Sequence, residues 1–182
     1  MAQITIFGRA GTGTSSTGKA LAKELGYEFL STGSMFREKA RSLGMDFYDF
    51  EQHCNTDKEF NDKYNRELDL GIATLGKEKD NFIIDSWLAW HFIPHSFKVK
   101  LVCDFDERIR RVAARDKVSV EYAKEKTQFR ENSLIKRYSA LYNISDYAPD
   151  SAFDLILDTT TTPLHKVVAE ILKTLRSKEG LI

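Results

Sequence analysis

Short apolar runs recur five times along the chain, and helical or polar sequence separates each run from the next. Runs of this length that alternate with helical patterns are typical of strands in a parallel sheet that is buried on both faces. We therefore predict an α/β fold in three layers, with a five-stranded parallel sheet flanked by helices. The predicted strands lie at residues 3–7, 27–30, 81–85, 98–103 and 153–157.

Two longer stretches interrupt this alternation. Residues 34–80 are too long for one crossover helix, and we predict two or three helices there, inserted into the domain to hold a substrate. Residues 107–142 are strongly charged and helical in pattern, and we predict that they form a lid region. Both stretches belong to one domain, residues 1–182, whose predicted core consists of residues 1–33, 81–106 and 143–182.

Composition restricts the class of partner. The 182 residues suffice for one buried domain, and 27 basic residues balance 27 acidic ones, so we predict no nucleic-acid partner. No stretch is apolar enough to span a bilayer, and Met1 leads into a strand rather than a signal peptide. The two cysteines, Cys54 and Cys103, lack metal-ligand spacing and fit a reducing compartment without a disulfide. We therefore expect a cytoplasmic protein that binds no membrane.

The first predicted strand runs into a glycine-rich loop that suits phosphate groups. Its three glycines can adopt positive φ and bring backbone N–H groups close to an anion, and the helix that begins near Gly13 adds its N-terminal dipole. The segment fits the P-loop motif except that Thr14 stands in place of lysine. A plain glycine turn is the alternative, whereas a dinucleotide fingerprint would need a third glycine at Ser16. The predicted nucleotide-binding residues are Gly8, Arg9, Ala10, Gly11, Thr12, Gly13, Thr14, Ser15 and Ser16.

Two further motifs follow the second and third predicted strands. Thr32 and Gly33 form a capping turn, and Arg37 lies one turn inside the next helix, where N–H groups and a guanidinium fork can bind a substrate phosphate. Asp85 ends the third strand and should lie beside the glycine loop, at the edge where parallel sheets bind ligands. We predict that it faces the substrate and, with Ser15, holds Mg²⁺ directly or through water. The alternatives are a simple helix cap and an ordinary strand-end residue.

An arginine series marks the charged stretch at residues 107–142. Arg111 and Arg115 are four residues apart and share one helix face, while Arg130 and Arg137 are seven apart and share another. Two such helices would clamp phosphate oxygens and neutralise charge during phosphoryl transfer, so we predict a catalytic role for all four arginines. Solvated helix faces with paired acidic residues are the alternative interpretation.

These motifs follow one another as in nucleoside monophosphate kinases, and the chain most resembles the compact cytidylate kinase branch, including its archaeal-type members. The resemblance covers nearly the whole chain. It depends on the glycine loop, the capping turn, the acidic strand end and the paired arginines, and on three further segments at residues 87–90, 137–144 and 153–159.

The resemblance implies a P-loop NTPase fold and a kinase that transfers the terminal phosphoryl group of ATP, with Mg²⁺, to CMP or dCMP. It implies that the loop holds the donor's phosphates and that Thr32, Gly33 and Arg37 bind the acceptor's phosphate. The insertion would hold base and sugar, with Arg66 and Asp69 as candidates for reading the base. We expect small nucleotides as partners and a monomer, because single-domain kinases that close around their substrates can work alone.

Two positions depart from the family pattern. Thr14 replaces the loop lysine, and Trp87 stands near where the pattern Gly-Arg-Leu-Ala would supply an arginine to the acceptor's phosphate. Both changes remove positive charge from a reaction centre whose catalysis is mostly positioning and charge stabilisation. Two alternatives therefore stay open: a nucleotide-binding, pseudokinase-like protein with little transfer activity, and a P-loop kinase that acts on another small acceptor.

Lys19 is a candidate replacement for the missing cation. It lies four residues after Ser15, on the same helix face and about 6 Å further along the axis. Because helical side chains point back toward the N-terminus, its ammonium group can reach a phosphate oxygen, and we predict a catalytic role for it. Arg9, inside the loop, is a second candidate. The alternative is that Lys19 is an ordinary exposed residue.

Overall fold

The computed structural model describes residues 2–144 and 146–178. All neighbouring strands of its sheet pair in parallel, as predicted. Each strand lies within two residues of its predicted bounds. The strands are β1 (Gln3–Gly8), β2 (Glu28–Ser31), β3 (Phe82–Asp85), β4 (Phe97–Val102) and β5 (Leu155–Asp158). Their order in space is β2-β3-β1-β4-β5.

Helices fill the intervals between the strands. They are α1 (Thr14–Leu25), α2 (Thr32–Ser42), α3 (Phe47–Thr56), α4 (Lys58–Glu78), α5 (Ala89–Phe92), α6 (Phe105–Asp116), α7 (Val120–Tyr142) and α8 (Leu164–Lys178). Helices α2, α3 and α4 lie between β2 and β3, and α6 and α7 occupy the charged stretch between β4 and β5. None of the helices in the described part of the chain has the length and apolar character needed to cross a membrane.

Strand β3, in the middle of the sheet, is apolar up to its last residue because helices cover both of its faces. Side chains alternate along a strand, so Ile83 packs on the same side as Leu21 of α1 and Ile171 of α8. Its neighbours Phe82 and Ile84 pack on the other side, in a cluster with side chains of α4 and α5. The sheet is therefore the middle of three layers, and the burial of β1 and β3 explains the near-continuous apolar runs at these two strands.

The register of the sheet determines which residues meet at its carboxyl edge. Asp85, the last residue of β3, pairs with Ile6 of β1 on one side and with Ser31 of β2 on the other. The loop after β1 and the turn after β2 consequently begin on either side of one carboxylate. This is the edge at which open α/β sheets bind ligands.

The helices between β2 and β3 have a small apolar cluster of their own. Phe50 and Cys54 of α3 are buried against Ala40 of α2, with Phe36 and Tyr64 packed around them. Burial of one side chain such as Phe50 stabilises the fold by about 1.5–3 kcal/mol. The cluster therefore gives this insertion its own packing, apart from the main core. Neither Cys54 nor the second cysteine of the chain forms a disulfide.

Candidate active site

The loop between β1 and α1 has the backbone conformation of an anion site. Gly11 and Gly13 adopt positive φ values of 87° and 91°, which only glycine adopts without strain. A side chain at Gly11 would also collide with the backbone of Arg108, because an added Cβ would lie 2.4 Å from its carbonyl oxygen. Gly13 caps α1 without a side-chain hydrogen bond, so no side chain competes with a ligand for the N–H groups of the first turn.

Three consecutive carbonyl groups of this loop are held from outside. Arg108 donates to the carbonyl of Ala10 at 3.0 Å, and Arg111 lies 3.4 Å from that of Gly11. The hydroxyl of Thr159, just after β5, donates to the carbonyl of Thr12 at 2.9 Å. Across a planar peptide the C=O and the following N–H point in opposite directions. These contacts therefore turn loop N–H groups away from α6 and the β5 end.

A cleft of about 660 Å³ lies between the loop, the end of β3, the start of α2 and the lid helices α6 and α7. It brings together every residue predicted to bind phosphate or Mg²⁺ or to act in transfer except two, whereas the base-reading candidates lie outside it: Asp69 lines an adjoining cavity and Arg66 is exposed. Thr12 is buried within the loop, and Arg137 lies in an adjoining cavity. Residues far apart in the sequence are thus neighbours along one surface.

Ser15 and Asp85 meet inside the cleft. The Ser15 hydroxyl donates to Asp85 Oδ2 at 2.5 Å, and the Ser31 hydroxyl lies 3.3 Å from the same oxygen. Burial raises the pKa of Asp85, while the hydroxyl groups of Ser15, Thr14 and Ser31 act in the opposite direction. The side chain of Thr14, which replaces the motif's lysine, therefore supports the carboxylate.

The Ser15 and Asp85 oxygens fit Mg²⁺, a hard cation that prefers oxygen ligands and retains several waters. Within the described ranges, no group of three or more His, Cys, Asp or Glu side chains could hold a metal ion on its own. A metal at this position would therefore depend on ligands from a bound phosphate chain or from water, as is usual for Mg²⁺ in nucleotide sites.

The two candidate replacement cations differ in their surroundings. Lys19 is exposed, lines the cleft and forms no ion pair within the described part of the chain. Arg9 also lines the cleft, but its guanidinium donates to the hydroxyl of Tyr147 and lies 3.4 Å from Glu131. Lys19 can therefore approach a phosphate without breaking an ion pair, whereas Arg9 would exchange existing contacts.

The lid arginines on α6 share a face as predicted but have different partners. Arg111 donates to the backbone carbonyls of Thr159 and Thr160 and to Glu107, so it joins the lid to the β5 end. Arg115 forms a two-pronged ion pair with Asp116, at 2.7 and 2.8 Å. Arg111 therefore connects the lid to the rest of the site, whereas Arg115 is held by the carboxylate of Asp116 at the wall of the cleft.

Three guanidinium groups converge where α2 faces the lid. Arg37 and Arg130 both stack on the ring of Phe47, with centroid distances of 4.6 and 4.8 Å. Burial lowers the pKa of Arg37, and the nearby charges of Arg115 and Arg130 lower it further. Like charges this close destabilise one another, so the cluster is poised to bind an anion. Glu51, whose carboxylate lies 2.5 Å from Arg130, compensates part of the charge.

A second cavity continues from the cleft into the space between α4 and α7. Trp87 and Arg130 line both spaces, together with the turn at Thr32 and Gly33. Arg137 faces this inner cavity, near Glu51 and Asp69, whose pKa values its charge lowers in part. The two arginines of α7 are thus placed at different depths.

Sequence reasoning missed an aromatic stack at the position of the absent family arginine. Trp87 stacks on Tyr147 with ring centroids 5.4 Å apart and meets the edge of Phe7 at 5.8 Å. Tyr147 also holds Arg9. No periodic pattern marks Tyr147, which lies in a loop, so its pairing with Trp87 had no sequence signal.

Sequence reasoning also missed the role of Arg108, an arginine of the charged stretch that belongs to neither predicted pair. Arg108 is buried and donates to the buried carboxylate of Glu131 at 2.7 Å, which joins α6 to α7 beneath the loop. The helical spacing offered a signal, because Arg108 lies beside Ile109 and one turn before Val112 on the buried side of α6.

The chain is similar to known proteins along most of its length. A family model described as the cytidylate kinase-like family matches residues 3–161. The cytidylate kinase of Methanobrevibacter smithii is 35% identical over 173 residues, which cover 95% of this chain and 98% of the relative. The cytidylate kinase of Methanothermobacter thermautotrophicus is 31% identical over 156 residues, which cover 86% of this chain and 94% of the relative.

Solved structures share the fold at lower identity. A shikimate kinase from Acinetobacter baumannii, solved in complex with shikimate, is 18% identical with a TM-score of 0.64, over 98% of this chain and 94% of its own. An uncharacterized protein from Eubacterium ventriosum is 18% identical with a TM-score of 0.69, over 97% of this chain and 99% of its own. At this identity the likeness shows the fold alone, and it confirms the predicted three-layer α/β fold.

Proposed function

The chain belongs to the cytidylate kinase-like family, and from this membership we propose that it is an ATP-dependent kinase that phosphorylates CMP or dCMP. The family resemblance of the sequence motifs is thereby confirmed. One observation carries the proposal: a glycine loop, a serine–carboxylate pair and the arginine cluster of Arg37, Arg115 and Arg130 line a single cleft. These groups suit the two ends of a phosphoryl transfer, the donor's phosphates and the acceptor's phosphate.

The donor end comprises the loop and the start of α1. Loop N–H groups and the helix dipole would hold the phosphates of ATP. Ser15 and Asp85 would hold Mg²⁺, which when bound neutralises charge on the phosphate oxygens. Lys19 would supply the cation that Thr14 does not, and Arg9 is the second candidate. Arg111 would keep the lid against this end.

The acceptor end comprises the turn after β2 and the inner cavity. Thr32, Gly33 and Arg37 would bind the acceptor's phosphate, with Arg130 completing the clamp. Helices of the insertion, residues 34–80, would enclose base and sugar, and the lid, residues 107–142, would close over the nucleotides. The core, residues 1–33, 81–106 and 143–182, would support both the insertion and the lid.

The reaction requires no covalent intermediate with the protein. An oxygen of the acceptor's phosphate attacks the γ-phosphorus of ATP, and the bond from that phosphorus to the β,γ-bridging oxygen breaks. The products are ADP and CDP, or dCDP from dCMP. Arg37, Arg115 and Arg130 would stabilise the charge on the transferred group, and Arg137 would act from the inner cavity. This stabilisation is the main contribution a protein can make to such a step.

The two alternatives, a pseudokinase-like nucleotide-binding protein and a P-loop kinase for another small acceptor, account less well for the residues that line the cleft and the inner cavity. A protein that only binds nucleotide has no use for a second arginine cluster at the far end of the phosphate site. An acceptor much smaller than a nucleotide would leave the inner cavity between α4 and α7 without a role.

A coupled assay of ADP formation, with ATP, Mg²⁺ and a panel of nucleoside monophosphates, tests the proposal. We expect the highest kcat/KM with CMP or dCMP. Tight ATP binding without ADP formation for any acceptor would contradict the proposed activity and favour a pseudokinase. Turnover with a non-nucleotide acceptor alone would show that the acceptor class is wrong.

A further inference from the structure

The first turn of α3 lies where the insertion meets the lid. Asp46 caps this helix, and its carboxylate accepts hydrogen bonds from the backbone N–H groups of Tyr48 and Asp49 at 2.8 and 2.9 Å. Such a cap defines where the first turn begins. Phe47 and Tyr48 are the first two residues of the helix, and both are half-buried. Their side chains therefore start from a backbone that is held in place.

Phe47 contacts two members of the arginine cluster. The guanidinium groups of Arg37 and Arg130 lie 4.6 and 4.8 Å from the centroid of its ring. Arg37 belongs to α2 and Arg130 to α7, so one ring joins the insertion to the lid. The face of an aromatic ring attracts cations. Phe47 therefore holds together two like charges that would otherwise repel each other.

Tyr48 contacts the third member of the cluster through a carboxylate. Its hydroxyl donates to Asp116 Oδ2 at 3.0 Å, and the same oxygen accepts from Arg115 Nη2 at 2.8 Å. Burial and the charge of Asp116 raise the pKa of Tyr48, so the hydroxyl keeps its proton and remains a donor. The ring of Tyr48 also meets the ring of Tyr122 from α7, with centroids 5.6 Å apart. Asp116 is thus held between its neighbouring arginine and a hydroxyl of the insertion.

The three arginines of the cluster come from three different helices, α2, α6 and α7. An arginine side chain has many rotamers, and fixing one of them costs conformational entropy. A guanidinium group that is already in position does not bear this cost when a ligand binds. Two consecutive residues at the start of α3 contact all three helices and hold each guanidinium group directly or through Asp116.

We propose that Phe47 and Tyr48 are positioning residues, which orient the arginine cluster for the acceptor's phosphate and for phosphoryl transfer. The inference depends on the proposed kinase function for the role of the cluster. Phe47 would act mainly on binding, because the two arginines on its ring form the proposed clamp for the acceptor's phosphate. Tyr48 would act mainly on the rate, because Arg115 is assigned to the transferred group alone.

The first test measures CMP binding by calorimetry in Phe47→Leu, which removes the aromatic face but keeps an apolar side chain. We expect the Kd for CMP to rise about tenfold, because two cation–π contacts are lost. Phe47→Tyr keeps the ring and should recover most of the affinity. Phe129→Leu, which removes an exposed ring from α7, is the control and should leave the Kd unchanged. Wild-type affinity in folded Phe47→Leu would overturn the role of Phe47.

The second test measures turnover in Tyr48→Phe, a substitution that keeps the ring and removes only the hydroxyl. We expect kcat to fall about fivefold with the KM for CMP unchanged, because Asp116 loses a hydrogen bond that fixes it. In an Arg115→Met background the same substitution should cause no further loss, because effects that pass through one residue are not additive. Tyr122→Phe, which removes the hydroxyl of the neighbouring ring, is the control. An unchanged kcat, or an equal loss in both backgrounds, would overturn the role of Tyr48.

Binding and turnover separate this inference from the proposed function. A higher Kd for CMP in Phe47→Leu, without ADP formation by the wild type, would support the positioning role and contradict the kinase activity. ADP formation by the wild type, together with unchanged Kd and kcat in the two variants, would support the kinase and contradict the positioning. A wild type that does not bind CMP would contradict both.

Discussion

The two ends of the cleft present different groups to a ligand: backbone groups at one end and side chains at the other. At the glycine loop the groups aimed at a ligand belong to the backbone, and outside side chains such as Arg108 and Thr159 hold that backbone by its carbonyls. In the inner cavity the groups aimed at a ligand are ionisable side chains that α3, α4 and α7 contribute. A backbone site suits any phosphate chain, whereas a side-chain site can discriminate among bases.

The two ends also depend differently on the rest of the fold. The loop is anchored to the sheet and to the buried Arg108–Glu131 pair. The insertion has its own aromatic cluster and meets the lid through polar side chains, such as Tyr48, which donates to Asp116 at 3.0 Å. Changes beneath the loop should therefore affect stability first, and changes in the acceptor end should affect substrate binding first.

The largest effect is expected beneath the loop, from Arg108→Met. Removing one partner of a buried ion pair leaves the Glu131 carboxylate beside the more distant Arg9, and such a loss costs about 3–5 kcal/mol of unfolding free energy. Urea denaturation of the wild type and the variant measures this difference in the free energy of unfolding. The double variant Arg108→Met with Glu131→Leu should recover much of the loss. Equal destabilisation of the single and double variants would show that the pair does not hold the lid helices together.

Asp85→Asn is expected to affect turnover rather than folding. With the proposed metal ligand neutralised, kcat/KM should fall on the order of 10³-fold. Asp80→Asn, an exposed carboxylate before β3, is the control for a local loss of charge. Wild-type turnover by Asp85→Asn would remove this residue from the proposed metal site.

The pH dependence of stability adds a second measurement on the same variant. Because burial raises the pKa of Asp85 above 3.8, the folded chain holds this proton more tightly than the unfolded chain does. The contribution of Asp85 to the free energy of unfolding is then complete below pH 3.8, and it is lost as the pH rises through the pKa that Asp85 has in the folded chain. Thermal unfolding of Asp85→Asn should therefore show a smaller decline toward neutral pH than the wild type shows.

Arg37→Met tests whether the acceptor end acts separately from the donor end. Loss of a guanidinium fork on a phosphate should raise the KM for CMP about 100-fold, with the KM for ATP unchanged. Arg37→Lys should recover only part of the loss, because an ammonium group lacks the fork. Arg41→Met, on the exposed end of α2, is the control. A parallel rise in the KM for ATP would mean that the two ends are not separable.

The contrast between the glycine-loop end and the inner cavity also explains which parts of the site the sequence could predict. Glycines at positive φ, an acidic strand end and an arginine one turn into a helix are local patterns, and parallel register alone brings Asp85 between β1 and β2. The inner cavity depends on how far α7 extends beside α4, which no local pattern determines. Arg130 and Arg137 share a spacing in the sequence, yet one reaches the cleft and the other only the cavity.

Lys19→Met is expected to have the smallest effect and decides how the donor end compensates for Thr14. An exposed lysine loses side-chain entropy when it binds a phosphate, so we expect kcat to fall about tenfold rather than by the larger factor of a preorganised donor. Lys23→Met, one turn further along the same face, is the control and should leave kcat unchanged. If Lys19→Met also leaves kcat unchanged while Arg9→Met lowers it, the cation comes from the loop itself. Tyr147 and Glu131 would then have to release Arg9 when ATP binds, and the donor end would depend on an exchange of side-chain partners.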